Sequence, residues 1–290
     1  MSAPPQDTEA VRARTRRRVP RAGEDLTDRG RVPWPLMLPA LATVAFLVLP
    51  LSGLLVRAPW TSLDRILAES QVVDALRLSL VCASAATVLS LVFGVPLAWV
   101  LARARFRGRG LLRALVTLPL VLPPVVGGVA LLLAFGRRGI VGQYLDAWFG
   151  LTLPFTTPGV VVAETFVAMP FLIVTMEGAF RTADRGYEEA AATLGASRLA
   201  VFRRVTLPLV GPSLMAGSVL CWARALGEFG ATITFAGNFP GHTQTMPIAV
   251  YLALEREPEA AIALSLVLLA VSIAVLVGMR DRWLNTGNAS

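Results

Sequence analysis

Arg224 and Glu228, in the stretch CWARALGEFGATITF, carry opposite charges inside an apolar run. Four residues apart, they share one face of a helix and can neutralise each other in place. A charge at the centre of a membrane-spanning helix costs about 2.5–3.5 kcal/mol on insertion scales, so such a pair marks a solvated path or a structural tie. Covalent and metal chemistry have far fewer candidates. All 27 basic residues are arginine, which leaves no lysine to cradle nucleotide phosphates or to form a Schiff base. His242 is the only histidine, and the two cysteines, Cys82 and Cys221, lie in separate apolar runs. These residues build no clustered metal site, and the cysteines read as free buried thiols. No catalytic residue, metal ligand or cofactor is expected.

A second stretch breaks the apolar character of the chain: EEAAATLGASRLAVFRRVTLPL, residues Glu188 to Leu209. Its local signals predict two short helices. Asp184 can cap the first, Glu188 and Glu189 favour its N-terminal half, and Gly195 suits its C-terminal turn. Ser197 can cap a second helix that carries Leu199, Phe202 and Val205 towards one side, and Pro208 is tolerated where the next helix starts. Ala190, Ala191, Ala192 and Gly195 leave a surface with little side-chain bulk, open to close approach by another protein. The alternative is a solvated amphipathic loop.

These residues must be positioned by a membrane protein. The 290-residue chain is 55% hydrophobic and 16% charged, with a mean hydropathy of +0.64; soluble domains carry about a quarter charged residues. A hydrocarbon core about 30 Å thick needs about 20 apolar residues per helix. Six segments qualify, near 36–56, 75–102, 111–135, 158–180, 209–236 and 260–279. The third carries Pro119, Pro123, Pro124, Gly127 and Gly128 and is expected to be bent and close to the transported species, because proline frees carbonyls that neighbours or water must satisfy. Glu164 and Glu177, also within a span, are read as packing and hydrogen-bonding groups.

Arginine distribution sets the orientation. The tail before the first span, 103–113, 181–208 and 280–290 hold twenty of the 27 arginines, and the intervening loops hold five; by the positive-inside rule the rich side, with both termini, is cytoplasmic. Residues 1–33, with eight arginines among Pro and Gly, read as a disordered cytoplasmic tail able to engage anionic lipid at roughly 1 kcal/mol per arginine. The net charge of +8 thus sits in tails and loops and forms no basic face for nucleic acid.

Glu189-Ala190-Ala191, three residues, Gly195, nine residues, Val205, one residue, Leu207-Pro208 resembles the EAA motif of ABC importer permeases, with Val205 where that family has isoleucine. The resemblance covers roughly residues 70–280. It implies an all-α, six-span type I ABC importer transmembrane domain, with a first helix and outer loop at 34–71, a permease core at 72–281, coupling helices at 184–207 and a cytoplasmic tail at 282–290. It further implies that Glu188, Glu189, Ala190, Ala191, Gly195, Leu207 and Pro208 dock on a separate ATP-binding subunit, in two copies around a homodimer. An extracytoplasmic binding protein would deliver the substrate, and the bacterial plasma membrane would house the assembly. ALGEFGA, Ala225 to Ala231, is shared by molybdate and sulfate permeases, whereas FAGNFPGHTQTMP, Phe235 to Pro247, resembles the molybdate branch, from which tungstate is inseparable. Arg224, Glu228, Gly230, Thr232, Pro123 and Pro124 are expected to line or gate the path, with Thr232, Thr234, Thr243 and Thr245 as candidate anion contacts, none individually specific. An ion-coupled secondary transporter is the rival class; it needs no docking loop of this kind.

Overall fold

The computed structural model describes the backbone of residues 34–285 and the side chains of residues 34–278. The expected tail 1–33 and residues 286–290 of the second tail lie outside the described residues. Every described element is helical, and no strand occurs among the described residues. The first helix, α1 (Trp34–Val56), has 23 residues, enough to cross a bilayer. It belongs largely to a unit of its own that ends at Gly53.

The second unit, from Leu54 onward, includes the short α2 (Leu63–Leu67) and is built on three helices: α3 (Ser70–Arg103), α7 (Thr157–Thr182) and α11 (Gly211–Leu226). Alternation of small and apolar residues lets them approach closely. On α3 the buried line runs through Ala75, Ser79, Cys82, Ala86, Ser90, Gly94 and Ala98, at helical spacing. A β-carbon at Gly94 would lie 3.2 Å from Ile173 of α7, and one at Gly217 of α11 would lie 3.0 Å from Leu172 of α7. Without a hydrophobic drive between helices in lipid, small-residue contact of this kind is what holds spans together. Cys82 and Cys221 are buried and free, as expected.

Two expected spans are not continuous helices. The third is a pair, α4 (Arg109–Val121) and α5 (Pro124–Phe135), bent by 119°. Consecutive prolines account for the break. Leu122 precedes Pro123 and takes ψ 136°, and Pro123 precedes Pro124 and takes ψ 132°; a residue before proline is driven out of the helical region. The expected kink is therefore a full break. The fifth expected span, 209–236, splits into α11 and a six-residue α12 (Gly230–Phe235), separated at Gly227–Phe229. With α4 and α5 counted as one crossing, and α11 together with the bent Arg198–Leu209 segment before it as another, the described residues hold up to six spans.

At the end opposite the arginine-rich segments, α6 (Gly142–Phe149), α13 (Met246–Arg256) and the connecting loops close over the bundle, followed by α14 (Pro258–Asn285). Thr157 Oγ1 donates to the carbonyl of His242 at 2.8 Å, and the Met246 amide donates to Ser79 Oγ at 2.8 Å, tying the 236–245 loop to α7 and α3.

Candidate functional site

The elbow between α7 and α11 forms the two predicted helices, α8 (Gly186–Thr193) and α9 (Arg198–Val201). Asp184 Oδ1 accepts from the Gly186 amide at 2.8 Å, and Ser197 Oγ accepts from the Ala200 amide at 3.3 Å. Gly195 turns the chain between them at φ +86°, a left-handed conformation that suits glycine. The Ala196 amide reaches back to Ala191 O at 3.1 Å, closing a Schellman-type end. Beyond α9 a single wide turn, Phe202–Thr206, and α10 (Leu207–Leu209) lead through Pro208 into α11, with a 75° change of direction.

Glu188 and Glu189, adjacent on α8, face opposite ways, so Glu188 departs from the docking surface on which it was expected. Glu188 points inward: its Oε1 is 2.9 Å from Arg103 Nη2 at the end of α3 and accepts from Thr206 Oγ1 at 3.0 Å. Arg103, whose side chain is 8% exposed, also reaches the carbonyl of Ala183 at 3.5 Å. Glu189 and Ala190 face solvent, and so do Tyr187, Leu194 and Leu199, with Leu194 88% exposed. Leu199, though exposed, lines one apolar cavity with Phe202, Pro96 and Trp99, on the side it was expected to share with Phe202. Phe202 packs deeper, its ring 5.8 Å from Trp99 of α3 and 6.3 Å from Phe180 of α7. Thr206, buried between Leu207 and Val205, completes this anchor.

Deeper in the bundle, Arg224 Nη1 is 2.6 Å from Glu228 Oε2, the pair expected from their spacing. Glu228 is 1% exposed, while the Arg224 side chain keeps 26% exposure and lies 6.0 Å over the Phe171 ring. The other oxygen of Glu228 accepts from the Ala231 amide at 2.8 Å, so this one carboxylate holds both the arginine and the start of α12. Gly230 is pressed against the third span's break: a β-carbon there would lie 2.8 Å from Pro124 Cβ. One at Gly128 would lie 2.6 Å from Thr234 Cβ and 2.9 Å from Ala231 O. The structure thus brings Pro124, Gly230, Thr232, Arg224 and Glu228 to one locus, with Pro123 forming the bend beside it.

Hydroxyls separate into two classes. Thr234 donates to Gly230 O at 2.8 Å, and Thr243 accepts from the Phe239 amide at 2.9 Å, so both are engaged in local structure. Thr232 and Thr245 are buried with hydroxyls that have no partner. Glu164, also buried, leaves Oε2 without a partner and lies within electrostatic reach of Glu228. No cluster of three or more metal-ligating side chains occurs among the described residues.

Sequence reasoning missed the arginine contacts. Arg103 grips Glu188 across 85 residues of chain, and Glu177 gathers Arg109 at 4.0 Å, Arg181 at 2.9 Å and both Nε, at 3.2 Å, and Nη2 of Arg113. The only available signal was the arginine-rich 103–113 segment, which reads equally well as a topology marker.

Residues 94–286 match the family described as binding-protein-dependent transport system inner membrane component. The molybdenum transport system permease protein ModB of Mycobacterium tuberculosis is 50% identical over 245 residues, covering 84% of this chain and 92% of its own. The Escherichia coli protein of that name is 43% identical over 211 residues, covering 73% and 92%. The sulfate transport system permease protein CysT of Salmonella typhimurium is 40% identical over 234 residues, covering 79% and 84%. Among solved structures, a chain of a bacterial ABC transporter involved in the import of the acidic polysaccharide alginate superposes with a TM-score of 0.69 at 18% identity, covering 87% of this chain and 94% of that one. A chain of the MetNI methionine ABC transporter gives 0.58 at 16% identity, covering 73% and 94%. The shared fold is the one expected from the EAA resemblance, and the chain belongs to the family of binding-protein-dependent transport system inner membrane components.

Proposed function

We propose that this chain is the membrane-spanning permease subunit of an ATP-driven molybdate importer. Two copies form the path around a two-fold axis, two ATP-binding subunits dock on the elbows, and an extracytoplasmic binding protein supplies the anion. The observation that carries the reading is the division of labour within the elbow. Its inner side is anchored on α3 and α7 through Glu188, Arg103 and Phe202, while Tyr187, Glu189, Ala190 and Leu194 present an exposed, partly apolar surface. Large apolar side chains left in solvent on an arginine-rich loop, outside any span, suit a protein partner. The names of the permeases at 50% and 43% identity support molybdate.

The chain makes and breaks no covalent bond in this scheme. ATP-driven closure of the partner pair draws the two elbows together and turns the path outward, and hydrolysis resets it; the shift is set by the partner's differential affinity for the two states. Arg224 presents the guanidinium that an oxyanion meets, and Glu228 holds it in place when the path is empty. Threonine hydroxyls at 232 and 245 supply further donors.

Pull-down of the tagged chain from native membranes is the test. An ATP-binding subunit should be recovered and should be lost on Glu189→Arg; recovery of none contradicts the docking role. Sulfate is the second reading, favoured by the sulfate permease at 40% identity. Competition of labelled molybdate uptake by unlabelled molybdate, tungstate and sulfate separates the two: molybdate and tungstate should compete, and sulfate should not.

A further inference from the structure

Glu177 lies on α7 about one and a half turns before the elbow and is tied to two different elements. Arg181 is its neighbour on the same helix, at i+4. Arg113 and Arg109 belong to α4, the first half of the broken third span. The Glu177 side chain is 9% exposed and that of Arg113 38%, so the carboxylate is buried while the arginine keeps water on one side; their contact is a two-nitrogen, charge-assisted bond, which fixes geometry as well as adding energy. Three guanidinium groups on one carboxylate leave surplus positive charge, and Arg109 Nε is buried without a partner. Packing alone does not call for this arrangement.

The same end of α7 holds the elbow. Phe180 meets Phe202, and Ala183 O receives Arg103. Just past the proline break, the third span presses Pro124 and Gly128 against Gly230 and Thr234, next to the break that Glu228 pins. A continuous set of contacts therefore runs from elbow to α7, through Glu177 to α4, across the proline break to α5, and from α5 to α12. Coupling between distant sites needs an element with two arrangements, and the proline break between two short helices is where the third span can hinge.

We infer that Glu177, through Arg113, is the joint that transmits elbow movement to the bent third span. The inference rests on the transport reading above. It makes Glu177 a positioning residue: it touches neither anion nor nucleotide.

The test uses the full complex of this chain with its ATP-binding subunit in proteoliposomes, with the anion-binding protein supplied on the substrate side. Arg113→Gln removes the tie between helices, whereas Arg181→Gln removes one within α7. Arg113→Gln and Glu177→Gln should lower anion moved per ATP hydrolysed by about tenfold or more, a typical coupling magnitude, while Arg181→Gln and Glu177→Asp keep most of it. Spin labels give a second readout independent of any anion, since the two native cysteines are buried. Labels at Leu133→Cys on α5 and Arg204→Cys in the elbow should both shift on nucleotide binding in the otherwise unaltered chain. With Glu177→Gln the elbow label should still shift and the α5 label should not. The joint is rejected if Arg181→Gln uncouples as strongly as Arg113→Gln, or if the α5 label still moves in Glu177→Gln. Absence of nucleotide-driven movement in the unaltered complex would count against the transport reading itself.

Discussion

Glu188 and Glu189 are adjacent, identical in type and opposite in consequence. Removing Glu188 strands Arg103, whose Nε and Nη1 already have no partner, in a largely buried position. Breaking such a pair costs roughly 3 kcal/mol. Glu188→Ala should therefore lower the thermal unfolding midpoint in detergent and expose the elbow to limited proteolysis, even with no partner present. Glu189→Ala, at an exposed position, should leave the midpoint unchanged and weaken only partner binding. Arg224→Gln should abolish uptake while the protein still inserts in the membrane, and unchanged transport would reject its role at the gate. The sequence made the Arg224–Glu228 pair readable because both partners lie on one helix. The Arg103–Glu188 and Arg113–Glu177 ties were not readable, since helix periodicity says nothing about contacts made 85 and 64 residues apart.

Among elements, bends matter more than lengths. Six apolar segments were legible, because a span of about 20 apolar residues has no other home. Where they break was legible only in part: paired prolines announced a bend at Pro123–Pro124, but the 119° turn depends on how α5 seats against α12. The split of the fifth span at Gly227–Phe229 carried only a glycine signal, because the Glu228 carboxylate holding it is a tertiary arrangement. Gly128→Ala tests this seat. Its β-carbon would overlap Thr234 and the Ala231 carbonyl, and overpacking of that kind costs about 1–3 kcal/mol. The variant should unfold at lower temperature and transport more slowly, whereas Gly178→Ala, with open space at its β-carbon, should do neither. Gly195→Ala faces no clash but keeps φ +86°, at about 1–2 kcal/mol. It should weaken recovery of the ATP-binding subunit, and Gly195→Asn should restore part of that loss.

At the scale of the whole molecule, the family was legible from seven spaced residues of the elbow, and Phe235 to Pro247 carried only the resemblance to the molybdate branch. Those residues do different jobs: Gly195 shapes a turn, Glu189 faces solvent, and Pro208 starts a helix. The central claim is that force from a separate ATP-hydrolysing partner enters at this elbow and opens a path between two copies of the chain. Uptake of labelled molybdate by proteoliposomes holding the chain and its ATP-binding subunit, with the anion-binding protein supplied on the substrate side, tests it most directly, with and without ATP and with an uncoupler. Accumulation that requires ATP and ignores the uncoupler is the predicted result; accumulation without nucleotide, or its collapse when the ion gradient is dissipated, would contradict the account.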